Sequence, residues 1–307
     1  MASITLAEAK KLGLDDLGAG VAENIVTVNP IYSVLPFNTT VGNAYVYNRE
    51  NTLGDVQVLG IDGTITAKTQ ATYTQVTQAL TTIIGDAEVN GLIEAQGVGS
   101  TAGNDPVTAA VASKAKAVGR KYQDLMVNGD SGNANEFDGM VKLISSVPYA
   151  GQLLATQAAS FEAVDNMLGL VKSKGTSVDF LMGNLAMENK LKSLARALNG
   201  GVLEWTTSGG SKVFMYAGIP FFRNDYLAAA DQDGVTAGTQ AWLFAGNFDD
   251  GTRKVGISGV VPTVGGIQVE DIGKGETKDA RIIRVKMYGT FASHSVLGLA
   301  GGLLTIA

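Results

Sequence analysis

The most regular pattern of apolar and polar positions lies between residues 105 and 128, and it predicts a long amphipathic helix. Apolar side chains recur there at helical spacing, while lysine and arginine side chains occupy the other faces. Asp105 is typical of an N-cap, and Pro106 fits the first helical position, where a missing N–H costs nothing. Gly129 marks the C-terminal cap. At 1.5 Å per residue, the predicted helix is about 33 Å long.

A different pattern runs through residues 41–72, where strand-like segments alternate with turn-prone polar residues and predict a long two-stranded hairpin. The strand-like segments are Ala44–Tyr47, Val56–Val58 and Thr64–Thr66, and a further strand-like segment follows at Tyr73–Val76. The turn-prone residues between them are Asn48–Asn51 and Asp62–Gly63. An isolated hairpin is only marginally stable in water. We therefore expect this hairpin to pack on a partner, such as another copy of the chain.

The remaining periodic segments include both helices and strands, so the predicted fold class is α+β. Two helices are expected at about 160–173 and 185–198, with a buried strand at 178–182 between them. After the second helix the chain is mostly strand and turn. Strands are expected there at 212–216, 240–248, 254–258 and 280–287. The very apolar segment 297–307 predicts a buried terminal strand.

The composition excludes several kinds of chemistry. The chain has 307 residues, no cysteine and one histidine, so it forms no disulfide, thiolate nucleophile, iron–sulfur cluster or cysteine-type zinc site. One imidazole cannot build a histidine metal cage. A net charge of −6 argues against binding nucleic acid through its phosphates, although it permits enclosing nucleic acid. No apolar stretch reaches the length of about 18 residues that a membrane helix needs, and no signal peptide is expected.

Three segments suggest chemistry, and each also has an ordinary structural explanation. Gly97–Gly103 precedes the long helix, where an anion could bind, but it lacks the G-x-G-x-x-G spacing and a Walker lysine. We expect a connector there, with an α/β enzyme that binds phosphate through this loop as a remote alternative. His294 is expected to be structural because no G-x-S-x-G motif supplies a nucleophile. Asn128–Asp138 is rich in oxygen ligands but departs from EF-hand spacing, so we expect a turn there, and no catalytic residue, cofactor or metal in the chain.

Several short motifs follow the hairpin and the long helix in a characteristic order. Met126–Gly132, followed by Phe137–Met140, looks like an N-G-D-G-x-G…G-[IL] signature at the end of the helix. Three further motifs are Phe180–Asn184 before a helix, Gly218–Phe222 after a strand, and Leu243–Phe248. Together these features resemble the major capsid proteins of tailed bacteriophages, whose Hong Kong 97-type fold is shared with encapsulins.

This resemblance implies an α+β Hong Kong 97-type capsid fold with an N-terminal arm, an E-loop hairpin, a long spine helix, and peripheral and axial domains. The corresponding ranges are 1–40 for the arm, 41–72 for the E-loop, 73–144 for the peripheral domain with its spine helix at 105–128, 145–248 for the axial domain, 249–293 for the return to the peripheral domain, and 294–307 for the C-terminal strand segment. It also implies a structural protein, not an enzyme, that self-assembles into hexamers and pentamers of an icosahedral shell enclosing phage double-stranded DNA. An encapsulin-type nanocompartment shell is the alternative.

The resemblance further implies partners and contact residues. The partners are other copies of the chain, a portal, a separate scaffolding protein and, in some shells, a decoration protein. The expected location is the virion capsid, assembled in the bacterial host cytoplasm, with DNA enclosed without sequence-specific binding and no membrane involved. The residues expected at intersubunit contacts are Tyr45, Tyr47, Arg49, Glu50 and Lys68. The loop expected at the capsomer axis contains Asp231, Gln232, Asp233 and Gly234.

Overall fold

The structure, a computed structural model, describes residues 29–97, 105–172, 178–197, 203–208, 211–227, 239–275 and 277–306. The strands are β1 Phe37–Thr40, β2 Ala44–Thr52, β3 Thr72–Ala79, β4 Thr81–Asn90, β5 Leu153–Ala158, β6 Phe180–Gly183, β7 Leu203–Ser208, β8 Ser211–Tyr216, β9 Ile219–Arg223, β10 Gln240–Gly246, β11 Ile257–Pro262, β12 Ile267–Lys274, β13 Ala280–Ser293 and β14 Leu299–Thr305. The helices are α1 Ile31–Val34, α2 Gly91–Gly97, α3 Pro106–Asn128, α4 Met140–Ile144, α5 Phe161–Leu170 and α6 Leu185–Ala197, with 3-10 turns at Val147–Gln152 and Val296–Gly298.

The strands form two main sheets and a separate hairpin. A five-stranded sheet has the order β1-β11-β13-β12, with β4 also paired to β13. A seven-stranded sheet has the order β5-β14-β10-β6-β9-β8-β7, and the hairpin pairs β2 with β3. Strand β14 is buried between β10 and β5, which confirms the terminal strand expected from the apolar end of the sequence.

Helix α3 confirms the predicted spine helix and packs on the five-stranded sheet. Asp105 Oδ2 accepts a hydrogen bond from the backbone N–H of Thr108 at 3.0 Å, and Pro106 occupies the first helical position. Tyr122 is fully buried, and its hydroxyl donates to the carbonyl oxygen of Thr290 in β13 at 3.0 Å. The buried hydroxyl is thus satisfied by the strand that the helix covers, and this fixes the helix on the sheet.

The turn after α3 is closed by two glycines in contact with backbone atoms. The N–H of Gly129 donates to the Leu125 carbonyl at 2.9 Å, and the N–H of Gly139 donates to the Gly129 carbonyl at 2.8 Å. A Cβ on Gly129 would lie 2.3 Å from the Phe137 carbonyl oxygen. A glycine that follows a helix usually adopts the left-handed conformation, but Gly129 has a φ of −57°. Its backbone conformation therefore does not require glycine. Glycine is required here because the neighbouring carbonyl oxygens leave no space for a side chain.

Helices α5 and α6 confirm the two further helices expected from the sequence. Ser160 caps α5 by accepting from the N–H of Ala163 at 3.1 Å, and Asn184 caps α6 by accepting from the N–H of Met187 at 2.9 Å. Their buried residues pack with strands of the seven-stranded sheet in a second core, separate from the core under the spine helix. The seven-stranded sheet also contributes Phe180, Phe244 and Leu299 to the core under the spine helix, so that core joins the two main sheets.

The hairpin differs from its predicted form. Its paired strands are β2 and β3. Strand β3 contains the segment expected at Tyr73–Val76, and β2 continues through Arg49, where a turn was expected, whereas Val56–Val58 and Thr64–Thr66 lie outside any strand. The strand expected at 254–258 begins only after Gly256, whose φ of +85° turns the chain. Alternating apolar residues alone reveal neither the turn at Gly256 nor the irregular backbone of residues 53–71.

Several predictions fall on residues outside the described part: the N-terminal arm up to residue 28, most of the Gly97–Gly103 loop, and the axis loop Asp231–Gly234. Among the residues that the structure describes, no helix is long and apolar enough to cross a membrane.

Candidate functional site: the hairpin and its root

Alternate side chains of strand β2 face the end of strand β13, because successive side chains of a strand point to opposite faces. We call this contact the hairpin root; it joins Tyr45, Tyr47 and Arg49 of β2 to Ser293 and His294. The Tyr45 hydroxyl lies 2.9 Å from His294 Nε2, and the Tyr47 hydroxyl donates to the Ser293 carbonyl oxygen at 2.8 Å. The root therefore fastens the hairpin to the five-stranded sheet.

Arg49 ties three separate parts of the chain together at the root. Its Nε donates to the His294 carbonyl oxygen at 3.1 Å, and its Nη2 donates to the Ser293 carbonyl oxygen at 2.6 Å. Nη2 is also 3.0 Å from the hydroxyl of Tyr149, and the guanidinium lies 5.5 Å from the ring centroids of both Tyr47 and Tyr149. Burial raises the pKa of Tyr47 to about 12, although Arg49 acts to lower it. That hydroxyl consequently stays protonated and can donate.

We expect Arg49→Lys to lower the free energy of unfolding by about 2 kcal/mol, the usual contribution of hydrogen bonds to a charged group. A lysine ammonium is a point charge without a planar fork, so it cannot reach Ser293 and Tyr149 together. Urea unfolding of the unassembled subunit measures the loss. Arg196→Lys, at an exposed position of α6, is the matched control and should stay within about 0.5 kcal/mol of the parent. Equal losses in both variants would show that the root does not depend on the guanidinium.

Two side chains shape the hairpin tip, residues 53–71, in place of a strand ladder. Gln57 Oε1 accepts from the backbone N–H of Thr66 at 2.8 Å, and Asp55 Oδ1 accepts from the backbone N–H of Thr69. These contacts cross from one side of the tip to the other. They give a defined shape to a segment that has no hydrophobic core beneath it.

The hairpin tip presents large apolar side chains to solvent. Val56 is 95% exposed, Val58 is 101% exposed and Ile61 is 104% exposed, and Leu53 and Ile65 are also exposed. Scattered apolar residues are normal on a protein surface, but a contiguous exposed group marks an interaction site. The tip therefore has the chemistry of a contact surface for another protein.

The structure divides the expected contact residues into two groups. Tyr45, Tyr47 and Arg49 bind other parts of their own chain at the hairpin root. Glu50 and Lys68 are exposed, on strand β2 and in the hairpin tip. All five stay predicted intersubunit contacts, and the first three also position the hairpin within their own chain.

A row of ion pairs crosses strands β4, β13 and β12. Arg284 donates from Nε and Nη2 to the two carboxylate oxygens of Asp86 at 2.8 and 2.9 Å, and Lys286 donates to Glu270 at 2.7 Å. The hydrogen bonds from Arg284 hold the pKa of Asp86 below its ordinary value. Cross-strand pairs of opposite charge stabilise strand pairing, so these residues set the register of the sheet.

The oxygen-rich turn after the spine helix uses its carboxylates within the fold. Asp130 accepts from the backbone N–H of Gly132 at 2.8 Å and from the Lys142 ammonium at 2.9 Å. Across the described ranges, no group of three metal-ligating side chains comes together. The carboxylates of this turn stabilise its backbone, which is the role of a structural turn.

Comparison with known proteins finds similarity in structure alone. No protein-family model matches the chain, and no curated protein matches it. A holo-encapsulin complex from Synechococcus elongatus is similar with a TM-score of 0.70 at 15% identity, covering 100% of this chain and 96% of that chain. The capsid of a native GTA particle gives 0.64 at 12% identity, covering 100% and 99%, and the capsid of Myoviridae phage XM1 gives 0.62 at 11%, covering 99% and 99%. The Hong Kong 97-type fold expected from the sequence resemblance is therefore confirmed.

Proposed function

We propose that this chain, which has the Hong Kong 97-type fold, is the major capsid protein of a tailed bacteriophage. In this proposal it self-assembles into the hexamers and pentamers of an icosahedral shell that encloses double-stranded DNA. The observation that carries the proposal is the exposed apolar hairpin tip, held out from the body by a fixed root. The role is structural and not enzymatic.

The hairpin tip supports assembly because its apolar side chains gain stability only when another surface covers them. Fully burying a valine or isoleucine side chain contributes about 1.5–3 kcal/mol, so Val56, Val58 and Ile61 together can hold a tip on a second copy. Each subunit offers one tip and receives another, and the repeated contacts sum around a closed shell. In this proposal Glu50 and Lys68 supply charged contacts beside the apolar ones. The assignment of Asp231–Gly234 to the capsomer axis rests on the resemblance alone.

The negative net charge of the chain supports a shell that encloses DNA without binding it tightly. The net charge of −6 disfavours tight binding to a phosphate backbone. DNA can then be packed inside the shell without sequence-specific contacts to the wall. A portal, a separate scaffolding protein, an optional decoration protein and assembly in the bacterial host cytoplasm complete this proposal and rest on the resemblance.

An encapsulin-type nanocompartment is the second candidate. The observation in its favour is the TM-score of the encapsulin, which is higher than that of either capsid named above. The two candidates share the fold and differ in what the shell contains. A phage capsid needs a portal and a genome, whereas a nanocompartment needs a protein cargo.

Electron microscopy and light scattering of the chain expressed alone test the proposed function. Closed shells or ring-shaped capsomers are the expected result, and mass spectrometry and nucleic-acid staining of particles from the native source then separate DNA from protein cargo. A monodisperse monomer at high concentration calls for coexpression with the neighbouring genes, to supply a scaffolding protein. A chain that stays monomeric in that coexpression as well would overturn the proposal.

A further inference from the structure

The only histidine of the chain lies inside the hairpin root. His294 is 3% exposed, and its imidazole lies beside two tyrosine rings, with centroid distances of 5.8 Å to Tyr45 and 5.3 Å to Tyr47. The backbone N–H of His294 donates to the Gly256 carbonyl oxygen at 3.0 Å. This imidazole therefore lies between the hairpin and the turn that precedes strand β11.

The hydrogen bonds of the imidazole define its protonation. Nδ1 lies 3.3 Å from the Gly256 carbonyl oxygen, and a carbonyl oxygen only accepts, so Nδ1 carries the proton. Nε2 is then unprotonated and accepts from the Tyr45 hydroxyl at 2.9 Å. A second proton would occupy the lone pair that Tyr45 uses. The charged ring could still donate from Nε2 to the Tyr45 hydroxyl, since a phenol oxygen also accepts, so the second proton acts on the root through its buried positive charge and not by removing this contact.

Two cations face the same small space and oppose a charged imidazole. Arg49 comes from strand β2, and Arg253 comes from the turn before β11, where its guanidinium lies 5.9 Å from the Tyr45 ring centroid. Asp249 is the carboxylate nearby, and it already accepts from the backbone N–H of Arg253 at 3.0 Å and from the Asn38 amide at 2.7 Å. A protonated imidazole would be the third cation at a site whose nearby carboxylate, Asp249, already accepts hydrogen bonds from other groups.

The remaining titratable groups around the root are the hydroxyls of Tyr45, Tyr47 and Tyr149, and burial raises the pKa of each. They stay neutral in the range where a histidine titrates. Burial lowers the pKa of His294, Asp249 and the Gly256 carbonyl oppose that shift, and the two arginines add to it. The neutral imidazole is therefore the form that fits the closed root.

We propose that His294 is a proton-operated latch of the hairpin: the neutral ring keeps the root closed, and a second proton releases the hairpin from the end of strand β13. The latch acts within one chain. Its consequence for shell assembly rests on the proposed function, since the released hairpin carries the tip that would reach a neighbouring subunit.

The direction of the pH effect follows from proton linkage. A released imidazole has the ordinary pKa of 6.5, higher than that of the buried ring, so the open root binds more protons. Stability of the closed root is complete above about pH 6.5 and is lost progressively as the pH falls below it. If the imidazole of the closed root stays neutral throughout, the ratio of open to closed roots rises at most about 30-fold when the pH falls from 7.5 to 5.

Distance measurements between spin labels test the latch directly, since a chain without cysteine accepts labels at chosen sites. One pair joins the hairpin tip to the body, through Thr64→Cys and Val147→Cys. A control pair, Leu92→Cys with Val147→Cys, uses exposed sites on the body alone. In the unassembled subunit, we expect the tip-to-body distances to broaden at pH 5 and the control distances to stay unchanged. His294→Gln, which keeps an acceptor for Tyr45 but does not titrate, should remove the broadening.

The NMR signal of the single imidazole provides a second measurement on the unsubstituted protein. Its titration midpoint should fall below 6.5 and coincide with the midpoint of the distance change. Titration without any change in tip-to-body distance would overturn the latch, as would broadening of equal size in His294→Gln or midpoints that do not coincide. Failure to form shells at pH 7.5 would count against the proposed function and leave this result within one chain unaffected.

Discussion

Replacing Gly129 with alanine is expected to lower the free energy of unfolding by about 3 kcal/mol, near the upper end for overpacking of a well-packed site. The new Cβ would lie 2.3 Å from the Phe137 carbonyl oxygen and 2.5 Å from the Leu125 carbonyl oxygen. Both obstacles are backbone atoms, so no side-chain rotation can relieve the clash. Relief requires the end of the spine helix to separate from the segment Phe137–Gly139, and that breaks the hydrogen bond between Gly139 and Gly129.

Urea unfolding of the unassembled subunit measures this loss, and Gly169→Ala is the matched control. Gly169 lies in helix α5 with nothing within 4 Å of its added Cβ. Alanine there is expected to stabilise the protein by about 0.5–1 kcal/mol, because glycine is the poorer helix former. If Gly129→Ala were as well tolerated as Gly169→Ala, the close approach at the turn would not be a constraint on the fold.

Elements with a strong local pattern could be predicted from the sequence. The spine helix carried an N-cap, a proline at its first position and a long apolar stripe, and the structure has it at Pro106–Asn128. The terminal strand was predicted because only a buried strand suits so apolar a short segment. In both cases the signal lies within the element itself, so no knowledge of distant residues was needed.

The hairpin shows where local patterns fail. Tyr45 and Tyr47 were correctly predicted to lie in a strand, whereas Arg49 was expected in a turn and lies in the same strand. The pattern also does not say what covers this face of the strand. Their partner Ser293 is 244 residues away from Arg49 along the chain, and nothing near either residue signals the contact. The tip was predicted as strand because Val56 and Val58 alternate with polar residues, yet hydrogen bonds that Gln57 Oε1 accepts from backbone N–H groups replace the ladder there.

Replacing Val56, Val58 and Ile61 together with serine is expected to abolish shell formation while leaving the subunit folded. These side chains are almost fully exposed in the single chain, so their loss should change the free energy of unfolding by less than about 0.5 kcal/mol. Between subunits the same side chains lose the burial that would hold each tip on a neighbour. Because every contact in a shell repeats this loss, a modest change in one contact should become an all-or-none effect on assembly.

Electron microscopy and sedimentation of the serine variant measure assembly, and urea unfolding measures subunit stability. The control is Val56→Ile with Val58→Ile and Ile61→Val, which keeps the tip apolar and should form shells at the wild-type concentration. Shells of normal size from the serine variant would contradict a role for the tip. A serine variant that loses both assembly and subunit stability would instead show that the tip supports its own chain. The selective loss of assembly is the result that links the exposed apolar tip, and not the fold alone, to shell formation.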